Sequence, residues 1–280
     1  MVTTPFRIDA SGFPIAGRLY SSVSDGKPAS RRLLLLHGAG VAGELTWQFV
    51  IQKLSHWDEI LVPDLPLMGQ SKRSVDQLPA FSSYLNALEE LIDHVKWRRF
   101  DLAGYSFGGL LAMHLQENYE VDRLVLIEPA ALSSASVQEL RQRAELYESI
   151  GNKLFASPHD VELYKAFLDV VSPGRVKDDR LDVIAIKRLQ AESLGLAAGI
   201  SAVGEALGQY GEFYRTWTPA MKGLSVVGGL SSEAMHARHA ELEGAHDWRF
   251  ESIAGTDHGL IYVRPKEIAR FMNGLYPVDA

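Results

Sequence analysis

Short, almost wholly apolar runs recur along this chain, each followed by a polar break and then a stretch of helical periodicity. Arg32-Leu33-Leu34-Leu35-Leu36, Glu59-Ile60-Leu61-Val62-Pro63, Arg123-Leu124-Val125-Leu126-Ile127 and Leu224–Gly228 are too short for helices. They also lack the alternation of a half-exposed strand, and so read as strands buried on both faces. Arg99-Phe100-Asp101-Leu102-Ala103 and Trp248–Ile253 read as further strands. Between them Tyr84, Leu85, Leu88, Leu91, Ile92 and Val95 recur at helical spacing, as expected of a helix with one face on a sheet. Helices are also predicted at Thr46–Ser55, Gly109–Leu115, Ser232–Leu242 and Pro265–Leu275. Phe6–Asp9 and Pro14–Tyr20, joined through Ala10-Ser11-Gly12, read as a hairpin, and a polar loop follows over Ser21–Arg31. Strand and helix in alternation, with apolar strands, predict a mostly parallel sheet covered on both sides.

The alternation breaks once. From Ser133 to Pro219 no strand is legible, while amphipathic stretches fall at Val137–Ile150, Asp160–Val171 and Arg180–Leu194. Gly195, Gly199, Gly204, Gly208 and Gly211 punctuate the end of this region. The expected organisation is a core domain of residues 1–132 and 220–280, interrupted by a helical cap over 133–219.

Composition narrows the chemistry. With 46% hydrophobic and 22% charged residues, the 280-residue chain can bury a substantial core. A formal net charge of -7 argues against a nucleic-acid surface. The absence of cysteine excludes disulfides, thiolate metal sites and a cysteine nucleophile. The nine histidines show no metal-ligand spacing: His236 and His239 lie three apart on a predicted helix, near no matching carboxylate pair. Neither metal nor cofactor is expected. Without a basic and apolar leader or a membrane-length apolar run, a cytoplasmic location is the expectation.

One pentapeptide carries chemistry. Gly104-Tyr105-Ser106-Phe107-Gly108 stands between a strand and a helix, the sequence form of a nucleophile elbow. Such a turn holds its serine in a strained conformation at a helix N-terminus, where developing negative charge is favoured. Ligand-binding groups of open parallel sheets sit beyond the carboxyl ends of the strands. In this chain those ends carry His37-Gly38-Ala39-Gly40, Asp64, Ser106, Glu128, the Gly229–Ser232 loop and His258.

Across nearly the whole chain apart from the helical insert, the sequence resembles the α/β-hydrolase superfamily. The resemblance rests on Leu33-Leu34-Leu35-Leu36-His37-Gly38, on Asp64-Leu65-Pro66-Leu67-Met68-Gly69-Gln70-Ser71, on the elbow Gly104–Gly109, and on Gly255-Thr256-Asp257-His258 with Pro265 opening the last helix. It implies the α/β-hydrolase fold with Ser106 as nucleophile and His258 as its base. It also implies an oxyanion hole from the N–H groups of Ala39 and Phe107. His37 and Asp64 are expected to be structural. Most relatives place an aspartate in the loop that here reads Gly228-Gly229-Leu230-Ser231-Ser232-Glu233, so the chain departs from the pattern. A minority carry the acid one strand earlier, where Glu128 stands. Glu128 is therefore read as the acid, with Glu233 in reserve and Asp257 as a third choice.

Serine at the elbow turns the reading away from dehalogenases and epoxide hydrolases of this superfamily, which use aspartate there. Gly259 after the histidine is neither the tryptophan usual in the carbon–carbon bond hydrolases nor the lysine of plant-type hydroxynitrile lyases. The expected reaction is cleavage of an ester, lactone or related acyl bond of a medium-sized apolar or aromatic small molecule. An acid after the strand following the elbow also occurs in lactone-cleaving, zearalenone-hydrolase-like relatives. Substrate contacts are expected from Gly38, Gly40, Tyr105 and Trp217. The insert's aromatics, Tyr147, Phe155, Tyr164, Phe167, Tyr210, Phe213 and Tyr214 among them, read chiefly as core of the cap. A non-catalytic ligand-binding protein of the same fold, a cofactor-free lyase or oxygenase using His258, and a homodimer through exposed cap residues are the alternatives held beside this reading.

Overall fold

A leucine run such as Leu33–Leu36 has no polar position to turn toward water, and all four side chains are buried, alternating between two apolar layers. Leu34 and Leu36 face one layer and Leu33 and Leu35 the other. Such burial stabilises by about 1.5–3 kcal/mol for each large side chain. The computed structural model describes residues 1–22, 29–133, 136–175 and 177–276. The middle of the expected polar loop, residues 23–28, and residues 134, 135 and 176 of the insertion lie outside them.

The strands are β1 (Val2–Ala10), β2 (Phe13–Ser21), β3 (Arg32–Leu36), β4 (Glu59–Pro63), β5 (Arg99–Tyr105), β6 (Glu120–Ile127), β7 (Lys222–Gly228) and β8 (Trp248–Ile253). They form one sheet in the order β1-β2-β4-β3-β5-β6-β7-β8. The hairpin β1–β2 is antiparallel and β2 runs antiparallel to β4, while every pair from β4 to β8 is parallel. The carboxyl ends of β3, β5, β6, β7 and β8 therefore open on the same edge.

Helices α1 (Gly43–Ile51), α2 (Phe81–His94) and α3 (Phe107–Leu115) lie within the first half. α1 begins three residues before the expected Thr46, because the Asp64 carboxylate accepts from the Gly43 N–H at 2.7 Å and satisfies an otherwise open helix-terminal donor. Between β6 and β7 stand α4 (Val137–Ala156), α5 (Val161–Val171), α6 (Asp179–Gln190), α7 (Ser193–Gln209) and α8 (Gly211–Thr216). After β7 come α9 (Glu233–Ala240), α10 (Leu260–Val263) and α11 (Pro265–Asn273). No helix among the described residues is long and apolar enough to cross a membrane.

α7 is the element the hydrophobic pattern did not show. It runs through four of the glycines read as punctuation, each of which costs a helix about 1 kcal/mol relative to alanine. Contact explains them. A Cβ on Gly199 would stand 2.7 Å from the Ala39 Cβ, and one on Gly195 would stand 2.6 Å from Met68 Cγ. Gly204 opens the opposite approach, to the Ala144 carbonyl of α4. The glycines let α7 wedge between α4 and the loop that follows β3.

Candidate active site

β5 ends at Tyr105 and α3 begins at Phe107, so Ser106 alone makes the turn, at φ 54° and ψ −115°. A non-glycine residue held there carries about 1–3 kcal/mol of strain. The surroundings enforce it. The Ser106 N–H donates to the Ile127 carbonyl at 2.9 Å, and the Ser106 carbonyl accepts from the N–H of Gly109 at 3.0 Å and of Ala130 at 3.2 Å. A side chain at Gly104 would strike the Gly108 carbonyl, and one at Gly108 would strike the carbonyls of Leu36 and His37. The missing side chains thus draw the elbow against the end of β3.

His258 arrives from the loop after β8. Its Nε2 lies 3.0 Å from Ser106 Oγ and its Nδ1 3.2 Å from Glu128 Oε2. Since a carboxylate only accepts, Nδ1 carries the proton and Nε2 is free to accept from the serine hydroxyl. The Tyr105 hydroxyl donates to the His258 carbonyl at 2.8 Å, and its ring stacks on the imidazole with centroids 5.2 Å apart. Tyr105, expected at the substrate, instead lies buried beneath the histidine among the apolar side chains shared by α1 and α11.

Glu128 directly follows β6 at φ 45°, a second strained non-glycine position, with its N–H donating to the Val226 carbonyl at 3.0 Å. It is 1% exposed. Burial pushes its carboxyl pKa up, but hydrogen bonds from His258, Ser231 and the Gly228 N–H outweigh that and hold it below the ordinary carboxylate value. Both the Gly228 N–H and the Ser231 hydroxyl donate to Oε1 at 2.6 Å. The reserve acids stand elsewhere: Glu233 is exposed in the first turn of α9, and Asp257 turns back to accept from the Gly259 N–H at 2.9 Å.

The loop after β3 borders the nucleophile. A Cβ on Gly38 would stand 3.2 Å from the Ser106 Cβ, and one on Gly40, at φ 70°, would stand 2.8 Å from Leu196 of α7. Ala39 lies half-buried between them. Phe107 opens α3, so its N–H has no partner within the helix. His37 is fully buried; its Nδ1 donates to the Gly38 carbonyl at 2.7 Å and its Nε2 accepts from the Leu65 N–H at 2.8 Å. Burial lowers its pKa, in keeping with a neutral ring that holds this loop. Asp64 accepts from the N–H groups of Gly43 and Gln70, both at 2.7 Å, and braces the turn after β4.

Trp217 is not at the site, contrary to expectation. Its ring packs edge-on against Trp248, 5.7 Å between centroids, and Trp248 opens β8 opposite Gly223 near the start of β7. That is the amino end of the strands, and Ser106 stands at the carboxyl end. Other insert aromatics are likewise packed into the core: the Tyr164 hydroxyl donates to the Pro158 carbonyl at 2.6 Å, and Tyr214 hydrogen-bonds His114 at 2.7 Å. Ser231 was missed as a site residue. The only signal was its place in the loop where an aspartate was sought.

Similarity to known proteins agrees with this fold. A sequence profile of the alpha/beta hydrolase family matches residues 33–271. The chain is 32% identical over 102 residues to the abhydrolase domain-containing protein abhd-5.2 of Caenorhabditis elegans, covering 35% of this chain and 23% of that one. It is 29% identical over 123 residues to the 2-hydroxy-6-oxo-2,4-heptadienoate hydrolase of Pseudomonas putida, covering 42% of this chain and 44% of that one. The chain thus spans less than half the length of these curated relatives. Among solved structures, a haloalkane dehalogenase loop variant from Bradyrhizobium elkanii superposes with a TM-score of 0.71 at 18% identity, covering 98% of this chain and 96% of that one. A profile match over most of the chain, on a fold whose strand ends carry Ser106, His258 and Glu128, places this protein in the alpha/beta hydrolase family.

Proposed function

We propose that the protein is a serine hydrolase cleaving an ester or lactone bond of a medium-sized apolar or aromatic molecule through an acyl-enzyme on Ser106. The observation that carries this reading is the continuous chain from Ser106 Oγ through His258 to Glu128, at 3.0 and 3.2 Å. As Ser106 Oγ attacks the carbonyl carbon, its proton passes to His258 Nε2. Glu128 steadies the imidazolium from the other side. The carbonyl oxygen, now negative, accepts from the N–H groups of Ala39 and Phe107, a contribution worth about 3–4 kcal/mol of barrier for one such donor. Collapse expels the alcohol, which takes the proton from His258. Water then repeats the sequence and frees the acid and Ser106. The helical insertion acts as a cap, and Leu196 and Met68, which α7 and the turn after β4 bring beside the oxyanion loop, favour an apolar acyl group.

A second reading follows from the Pseudomonas putida relative: hydrolysis of a 2-hydroxy-6-oxo-dienoate of the kind named for that protein. Turnover measured on a panel of aryl esters, aryl lactones and such a dienoate separates the two, with acid-quenched samples analysed for adducts by mass spectrometry. The acyl-transfer reading expects ester or lactone turnover and an acyl mass on the peptide containing Ser106. Turnover of the dienoate alone would replace it with the second reading.

A further inference from the structure

We propose that Ser231 is a positioning residue for the acid of the triad, fixing through Glu128 Oε1 the alignment of Oε2 on His258. The proposal rests on the triad reading above and extends it. A glutamate side chain has three rotatable bonds, and one hydrogen bond to His258 does not fix the plane of its carboxylate. The second oxygen settles that plane. Oε1 accepts from two donors on one short segment, the Gly228 N–H and the Ser231 hydroxyl, each at 2.6 Å. The carboxylate is 1% exposed, so bulk water offers little substitute for a lost donor.

The segment holding these donors is itself tied down. The Ser231 N–H donates to the Gly228 carbonyl at 3.0 Å, and His236 Nε2 lies 3.0 Å from that same carbonyl. The Gly229 N–H donates to the Ile253 carbonyl and the Leu230 N–H to the Thr256 carbonyl, both at 2.8 Å. Thr256 stands two residues before His258, so one loop sets the position of both partners of the Glu128–His258 bond.

The test compares wild type with Ser231→Ala and with the isosteric pair Ser231→Thr and Ser231→Val. Two readouts are taken: the proton NMR resonance of the His258 Nδ1–H bound to Glu128, and the rate of labelling by a fluorophosphonate. Loss of the hydroxyl in the Ala and Val variants is expected to shift or broaden the resonance and to slow labelling about tenfold. Ser231→Thr, which keeps the hydroxyl, should restore both. An unchanged resonance and rate in Ser231→Ala and Ser231→Val would overturn the proposal while leaving the hydrolase reading intact. A resonance that moves in those variants, in a wild type that takes no label, would sustain the positioning role and defeat the hydrolase reading. If Ser231→Ala does not fold, the Thr and Val pair carries the comparison.

Discussion

Two residues at this site sit where side chains rarely go, Ser106 at φ 54° and Glu128 at φ 45°. Each closes a buried strand, and each is held by hydrogen bonds from the neighbouring strand ends. Strain of this kind persists only where the surroundings over-determine it, as the contacts of Gly104, Gly108 and the Val226 carbonyl do here. Glu128→Gln keeps the size of the side chain but replaces an acceptor with an amide, removing the charge opposite the imidazolium. Turnover on an ester substrate should fall by roughly 10³–10⁴-fold with the far-ultraviolet dichroism unchanged. Near-normal turnover would remove Glu128 from the triad. Ser106 and Glu128 follow β5 and β6 directly and His258 stands in the loop after β8, so the strand ends made all three legible as candidates, and the family resemblance supplied the roles expected of them. Ser231 was not, since its partner is an oxygen that only the folded loop brings near. Trp217 was misplaced for the converse reason: aromatic character marks burial without saying at which end of the sheet.

At the scale of elements, the strands were legible because a run such as Leu33–Leu36 admits one reading. α7 was not, because Gly195, Gly199, Gly204 and Gly208 are poor helix formers and their use lies in contacts with other elements. What they permit is the descent of α7 onto Ala39, whose N–H is proposed for the oxyanion hole. Gly199→Val tests that coupling, because its side chain would have to displace Ala39 or Met68. Overpacking of this kind costs about 1–3 kcal/mol, so thermal unfolding should move to lower temperature. Turnover should fall further than stability accounts for, through a larger effect on kcat than on KM. A variant that melts earlier yet keeps its kcat at a temperature where it is fully folded would show that α7 does not set the oxyanion loop.

Taken whole, the molecule holds His37 and His239 fully buried and His114 half-buried, surroundings that favour the neutral ring. Burial lowers the pKa of His114 to about 4 and that of His239 to about 3, and it lowers that of His37 as well. An unfolded histidine titrates near 6.5. As pH falls below that value the unfolded chain takes up protons that the folded chain refuses, so stability present at pH 7 is lost on acidification, at about 1.4 kcal/mol per unit of separation. The Glu128 carboxyl, held below its ordinary value, adds to the loss as pH falls below about 4.3. The melting temperature should therefore decline steadily from pH 7 to pH 4. His239→Leu should flatten the decline, as His239 is fully buried against Phe250 with neither ring nitrogen hydrogen-bonded. An equal slope in variant and wild type would contradict this origin. The central claim, that the fold activates Ser106 through His258, is tested most directly by labelling with a fluorophosphonate, which needs no knowledge of the substrate. Rapid labelling of wild type on the peptide containing Ser106, abolished in Ser106→Ala, is the predicted result. Folded wild-type protein that takes no label would contradict it.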